Sequence, residues 1–378
     1  MNYHLIPSPC YVIDESLLIR NLEIIQGVAK ETGVEVILAF KGFAAWKVFP
    51  LIRRYVRGAA ASSLWEARLA YEKMKTYAHT YSPAYTGEEF KDIVRYSSHI
   101  TFNSLSQYHK YLPILRQSRR KISPGLRINP EHSPVSTSLY NPCSPGSRLG
   151  VVAGALGDTL PEGIEGFHFH ALCESSSHDL ENLLEAVEQK FGRFFSSIKW
   201  INMGGGHLLT RKEYDLAHLK TLLRSFKKRY PHLHVILEPG AAFVWETGVL
   251  VATVEDIVEN NGIKTAILNV SFTAHMPDCL EMPYQPRIAG AQMGNGGPYV
   301  YRMGGNSCLA GDFVGNWSFD KELVPGDRVV FEDMIHYTMV KTTFFNGVTH
   351  PSLGIWTKNN RFVLLRRFTY NDYKNKLS

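Results

Sequence analysis

The chain has 378 residues, 44% of them hydrophobic and 20% charged, with 41 basic against 35 acidic side chains and a formal net charge of +6. This composition excludes a disordered or fibrous chain and suits two globular domains, or one barrel with an appendage. Basic residues cluster only briefly, as at 116–121 and 227–229, so no nucleic-acid partner is expected.

Residues 11–14 read as a short strand. An amphipathic helix follows over 15–32, with Leu17, Leu18, Leu22, Ile25 and Val28 at helical spacing. Residues 34–40 are apolar and β-branched except at Glu35, and the run stops at Lys41-Gly42, the pattern of a central strand in a parallel sheet. A helix over 44–54, a small-residue strand over 58–62 and a helix over 64–74 come next. The segment 80–83, a helix over 88–96, a strand over 100–102, a helix over 106–115 and a strand over 125–129 continue the alternation.

Residues 131–149 are rich in Pro, Ser, Asn and Gly without periodicity, which marks a long and functional or mobile loop. Strands over 166–170, 200–202 and 234–238 follow, separated by helices over 180–191 and 216–230. Eight strands alternating with helices up to Glu238 predict a (β/α)8 barrel rather than an open doubly wound sheet. No GxGxxG opens a helix after the first strand, which weakens a dinucleotide-binding reading. Beyond Gly248 the segments 249–258, 264–270, 328–331 and 362–365 read as strands with little helix between them. The expected division is a barrel over 11–245 and an all-β domain over 246–378, joined by residues 1–10.

Five cysteines, odd in number and without a CxxC pair, indicate neither a disulfide framework nor a structural zinc site, and no metal is expected. The N-terminal stretch lacks an apolar signal core, and no run approaches the roughly 18 apolar residues of a membrane span. The expectation is a cytoplasmic protein without membrane contact.

Candidate chemistry recurs where barrel strands end, the face on which barrel enzymes build active sites. Lys41 by itself reads either as a strand-end lysine reaching solvent or as an amine with a lowered pKa, fit to bond a carbonyl group. His168 and His170 alternate to one face, and one of them reads as a packed residue. Gly204, Gly205 and Gly206 are either a tight turn or a source of bare N–H groups for a phosphate. Glu238 ends an apolar strand, where a carboxylate needs a partner. An amine for an aldehyde, a histidine for a ring face, a phosphate cradle and an acid for a pyridine nitrogen together point to pyridoxal 5'-phosphate.

In order and spacing, these residues resemble the alanine-racemase-fold (fold-type III) PLP-dependent decarboxylases. The resemblance runs through Phe40-Lys41, Ala61-Ser62-Ser63 with Glu66, Leu126-Arg127-Ile128, Phe169-His170, Gly204 to Gly206 and Glu238-Pro239-Gly240. It continues through residues 306–312 and 331–338. Residues 275–284 are similar to the carboxynorspermidine/carboxyspermidine decarboxylase subgroup. The resemblance implies that Lys41 bonds the cofactor, His170 stacks on its ring and Glu238 pairs with its pyridine nitrogen. Gly204, Gly205, Gly206, Gly240 and Tyr337 would hold it, with Arg127 nearby. Cys308 would protonate the product carbon, and Asp312 matches the acid of the Cys-x-x-Gly-Asp motif. In the family both come from the second subunit of a head-to-tail homodimer.

The implied reaction is decarboxylation of carboxynorspermidine or carboxyspermidine, a small-molecule polyamine precursor. A diaminopimelate- or arginine-type decarboxylase and a catalytically silent regulator are the alternatives. Three departures stand out. Ala241 follows Glu-Pro-Gly where relatives often carry arginine, Leu309 follows Cys308 where ornithine and diaminopimelate decarboxylases carry an acid, and Cys173 stands at a frequent serine position. The distal ammonium groups of a long substrate therefore need other acids, and Asp278 and Glu281, with His275 and Glu174 behind them, are the candidates.

Overall fold

Short strands of small and branched residues alternate with helices through the first two thirds of the chain. In the computed structural model, which describes residues 1–378, they close into a barrel. The first ten strands are β1 (Cys10–Asp14), β2 (Glu35–Ala39), β3 (Gly58–Ala61), β4 (Ala78–Tyr81), β5 (Ser97–Phe102), β6 (Ser123–Asn129), β7 (Val151–Val152), β8 (Gly166–His168), β9 (Trp200–Asn202) and β10 (His234–Leu237). Their sheet runs β5-β4-β3-β2-β10-β9-β8-β6, and β5 pairs with β6 to complete an eight-stranded parallel barrel. Strand β7 adds only a short ladder to β6, and β1 belongs to a different sheet. The predicted barrel is the observed one.

Side-chain volume explains the glycines in these strands. A Cβ on Gly125 would lie 2.4 Å from the Trp200 indole, and one on Gly166 only 2.0 Å from it. Trp200 packs with Ile37 and Ile236 in the barrel interior, so the facing strands must give up their side chains there. Strand register then aligns Arg127 with His168 and His168 with Asn202. These lie two residues beyond the Gly125–Gly166–Trp200 line, on the same face by strand alternation.

The helix expected over 44–54 is shorter. A 3-10 turn, Trp46–Val48, leads into a single α-turn, Phe49–Ile52. Pro50 lacks an N–H and is tolerated only in the first turn of a helix, so the helix has to begin there. Longer helices carry side-chain caps. Ser176 and Asp179 form a capping box for Ser177–Phe191, and Asp215 caps Leu216–Arg229.

Residues Asn21–Phe243 form one compact unit, and Met1–Arg20 with Val244–Ser378 form the other. The second unit holds β11 (Gly248–Asn260), β12 (Ile263–Leu268), β13 (Ala291–Met293), β14 (Tyr299–Gly304), β15 (Phe313–Phe319), β16 (Arg328–Glu332), β17 (Ser352–Trp356) and β18 (Phe362–Arg366). Strand β1 lies between β11, to which it is antiparallel, and β17, to which it is parallel. Val12, Val249, Val251, Val330 and Trp356 form an apolar cluster there. Asn261 and Gly262 both have positive φ, 51° and 76°, as a two-residue hairpin turn between β11 and β12 demands. Short helices Phe272–His275, Pro277–Glu281 and Tyr337–Val340, and a terminal helix Tyr370–Leu377, add to the mainly strand content read from the sequence. No helix is long and apolar enough to cross a membrane.

Candidate active site

The C-terminal ends of the barrel strands converge on one cavity, lined among others by Lys41, Tyr81, Arg127, His168, His170 and Glu238. Lys41 lies two residues past the end of β2. Its backbone is seated by Phe40, whose N–H donates to the Ala60 carbonyl, and by a Gly42 N–H to Ala39 carbonyl bond of 3.0 Å. A Cβ on Gly42 would come within 2.8 Å of the Gly240 Cα, so the β2 and β10 ends approach through two glycines. Burial lowers the Lys41 ammonium pKa below the usual lysine value, against the pull of Glu238. The lysine of the sequence reading is therefore a cavity amine rather than a solvent-reaching strand end.

Glu238 follows β10. Its Oε1 lies 2.9 Å from His168 Nε2, and its Oε2 accepts from Asn202 Nδ2 at 2.9 Å. Burial opposes ionisation here, but the bond with His168 and the electrostatic pull of Lys41 and His170 outweigh it, and Glu238 stays well below the ordinary carboxyl range. His168 is itself 2% exposed, and burial holds its pKa below the histidine norm. Its Nδ1 has no hydrogen-bond partner, which fits a neutral ring whose single proton sits on Nε2 and points at Glu238. So His168 is not simply a packed residue.

His170 lies just past β8. Its Nδ1 accepts the Gly205 N–H at 3.1 Å, which leaves the proton on Nε2. Burial, with Lys41 and Arg127 nearby, keeps the ring pKa low. Arg127 donates to the His170 carbonyl at 3.1 Å and lies 4.6 Å above the Tyr81 ring, a cation–π seat that fixes the guanidinium.

The glycine turn departs from one expectation. The Gly204 N–H donates to Asn202 Oδ1 at 2.9 Å, and the Gly205 N–H goes to His170. Two of the three amides read as bare are thus committed inside the protein. No helix begins at the turn either, since the next one starts at Leu216. Glycine is still obligatory. Gly204 and Gly206 have φ of 73° and 90°, and a Cβ on Gly206 would sit 1.9 Å from the Leu172 carbonyl oxygen. Glu174, one of the candidate acids, is exposed in the loop after β8 with φ +48°.

The remaining candidates belong to the second unit. Cys308 is exposed, and its N–H donates to Asn346 Oδ1 at 2.8 Å. Asp312 is buried and organises the same loop. Its Oδ2 accepts from the Ser307 hydroxyl at 2.6 Å and the Ser307 N–H at 3.1 Å, and its Oδ1 accepts from the Thr273 N–H at 3.0 Å. Asp278 and Glu281 share one cation, Lys341, at 2.7 and 2.6 Å. His275 is fully buried, accepts the Ser271 N–H on Nδ1 at 3.1 Å and has an unpartnered Nε2. Tyr337 is half-buried and opens the helical turn Tyr337–Val340, with Lys341 5.8 Å from its ring centroid.

Asn202 is absent from the candidates read from the sequence, and His168 enters there only as one of two histidines, one of which reads as packed. Strand alternation from Trp200 places Asn202 on the inner face, and that signal was available.

The family model described as "Pyridoxal-dependent decarboxylase, C-terminal sheet domain" matches residues 10–335. The chain is 52% identical over 372 residues to a carboxyaminopropylagmatine decarboxylase of Synechocystis sp., covering 98% of this chain and 96% of that protein. It is 42% identical over 384 residues to a carboxynorspermidine/carboxyspermidine decarboxylase of Campylobacter jejuni, covering 99% of each. The crystal structure of the Campylobacter jejuni carboxynorspermidine decarboxylase complexed with norspermidine superposes with a TM-score of 0.91 at 41% identity, over 98% of this chain and 100% of that one.

Proposed function

The chain belongs to the pyridoxal-dependent decarboxylases of the alanine-racemase fold, and on that premise we propose how its residues divide the work on a carboxylated polyamine precursor. Its cofactor is pyridoxal 5'-phosphate. When bound, that group supplies the electron sink into which the bond to CO2 breaks.

The residues fit such a group. Lys41 is an amine whose charge is disfavoured by burial, so more of it is free to attack an aldehyde. Glu238 offers a carboxylate held only by neutral donors and suited to a protonated ring nitrogen, and His170 presents a neutral ring of fixed tautomer. Within the barrel unit a phosphate would rely on the Gly206 N–H, with Gly204, Gly205 and Gly240 needed for the close backbone approaches of the strand ends; Tyr337 is a further phosphate contact on the family resemblance alone. No arginine at position 241 supplements this hold.

The presence of Lys41, His170 and Glu238 on one cavity is the observation that carries the reading. Purified enzyme should show the visible absorption of lysine-bound cofactor, and Lys41→Ala should lose it. An unchanged spectrum would overturn the assignment.

Cys308 delivers the proton to the carbon that loses CO2, across the interface of a homodimer. Its exposure beside Leu309 and Phe313, 46% and 41% exposed, supports an interface role. Asp312 shapes the cysteine loop. Mixing inactive Lys41→Ala with inactive Cys308→Ala should recover activity, and a mixture that stays dead counts against shared sites. Asp278 and Glu281 are the proposed contacts for distal cations, with the exposed Glu174 and the buried His275 behind them. Since Lys341 neutralises one of the two acids beside it, that cluster offers a single net negative charge.

The substrate expected from the sequence is carboxynorspermidine or carboxyspermidine. The 52% identity to a carboxyaminopropylagmatine decarboxylase favours a second substrate, in which the distal cation is a guanidinium. Rates of CO2 release from the three compounds in competition decide between them. On this second reading the agmatine derivative has the highest kcat/KM, and a preference for carboxynorspermidine or carboxyspermidine would reverse the assignment.

A further inference from the structure

We propose that Asn202 is a positioning residue for decarboxylation, one that keeps Glu238 an oriented carboxylate and locks it to the glycine turn. The inference rests on the reading that Glu238 faces the pyridine nitrogen of the cofactor.

Asn202 is 3% exposed and ends β9. Barrel register sets it beside His168, with Arg127 one strand further on. Its Nδ2 donates to Glu238 Oε2, and its Oδ1 accepts the Gly204 N–H, both at 2.9 Å. The Gly204 carbonyl in turn accepts the Glu238 N–H at 2.8 Å. These three bonds close a ring that contains the Asn202 side chain, the Gly204 backbone and the whole of Glu238. A carboxylate only accepts and a backbone N–H only donates, so the amide can be oriented one way.

The chemistry of the link is specific. A neutral amide orients the carboxylate without cancelling its charge, which a lysine or arginine here would do. His168 treats the other oxygen in the same way. Glu238 would thus meet a cationic ring nitrogen with its negative charge uncancelled and with both oxygens fixed. The amide's other end sits on the glycine turn, so a shift at the turn moves the carboxylate. One buried side chain couples the end of the site that would face the ring nitrogen to the turn beside His170.

Variants of the full-length, cofactor-loaded enzyme separate the possibilities. Asn202→Asp keeps the shape and the acceptor for Gly204 but replaces the donor with a like charge. Its kcat should fall roughly tenfold or more with little change in KM, and the pH at which the cofactor absorption titrates should move by about one unit. The defect should shrink as pH falls and the new acid regains a donating O–H. Asn202→Ala loses both contacts and should also weaken cofactor retention in equilibrium dialysis. A merely structural role predicts equal losses of melting temperature in both variants and an unmoved absorption titration, and that result overturns the proposal.

Glu238→Gln is the control. If it leaves the absorption titration and kcat unchanged, the reading of Glu238 itself fails. If it disturbs both while Asn202→Asp does not, only the role of Asn202 falls. Should Asn202→Asp not fold, Asn202→Ser keeps a neutral hydroxyl too short to span both contacts. It should show the same kcat loss with a smaller titration shift, and a normal kcat there would equally overturn the proposal.

Discussion

Two carboxylate clusters, one in each unit, treat negative charge in opposite ways. In the barrel unit, both oxygens of Glu238 are met by neutral donors, His168 and Asn202. In the sheet unit, Asp278 and Glu281 close on the ammonium of Lys341, and their charge raises its pKa above the lysine norm despite partial burial. A hydrogen bond from a neutral group orients a carboxylate and leaves its charge whole, whereas an ammonium in contact cancels most of its field. The difference teaches how to rank acids as cation binders: the identity of the donor matters more than the number of bonds.

The sharpest test of the barrel side is Lys41→Ala, expected to abolish turnover along with the visible band. Glu238→Gln keeps the shape but removes the charge, and kcat should drop about 100-fold or more in a steady-state assay. A loss under tenfold would break the claim that the charge is what the neutral donors preserve.

Buried histidines carry the comparison into stability. Burial pushes His207 of the barrel unit down to about 4 and His275 of the sheet unit down to about 3. Below the ordinary value of 6.5, the unfolded chain binds protons that the folded one refuses. Stability should therefore be complete above pH 6.5 and fall as pH drops towards 4, by at most about 3 kcal/mol for each ring. Denaturant melts of His207→Gln and His275→Gln across that window should each show a flatter pH dependence than the parent.

Lys341→Met leaves Asp278, whose side chain is 11% exposed, without its cation. It should destabilise the protein by about 2 kcal/mol in chemical denaturation. The smallest effect belongs to Glu281→Gln, since that side chain is 50% exposed. Its stability should change by less than about 1 kcal/mol. A rise in KM for a polycationic substrate without a change in kcat would support its proposed substrate contact, and an unchanged KM would remove it.

Much of this was legible locally. The alternation of apolar strands and amphipathic helices implies the barrel, and strand ends are where Lys41, His170 and Glu238 stand. The terminal helix Tyr370–Leu377 is not legible in the sequence because it buries no residue, so no apolar stripe marks it. The reason for Gly125 and Gly166 was equally hidden, because Trp200, which fills their space, comes from another strand.

The sequence by itself determined which residues reach the mouth of the barrel, because period and strand length are properties of neighbours along the chain. Only the tertiary structure decided what each charge meets. His168 finds Glu238 across 70 residues, Asn202 finds it across 36, and Lys341 finds Asp278 across 63. Those meetings follow from barrel closure, strand register and the packing of the sheet unit. They left Glu238 its charge, gave Asp278 and Glu281 a shared cation, and took two of the three glycine amides for the protein's own use.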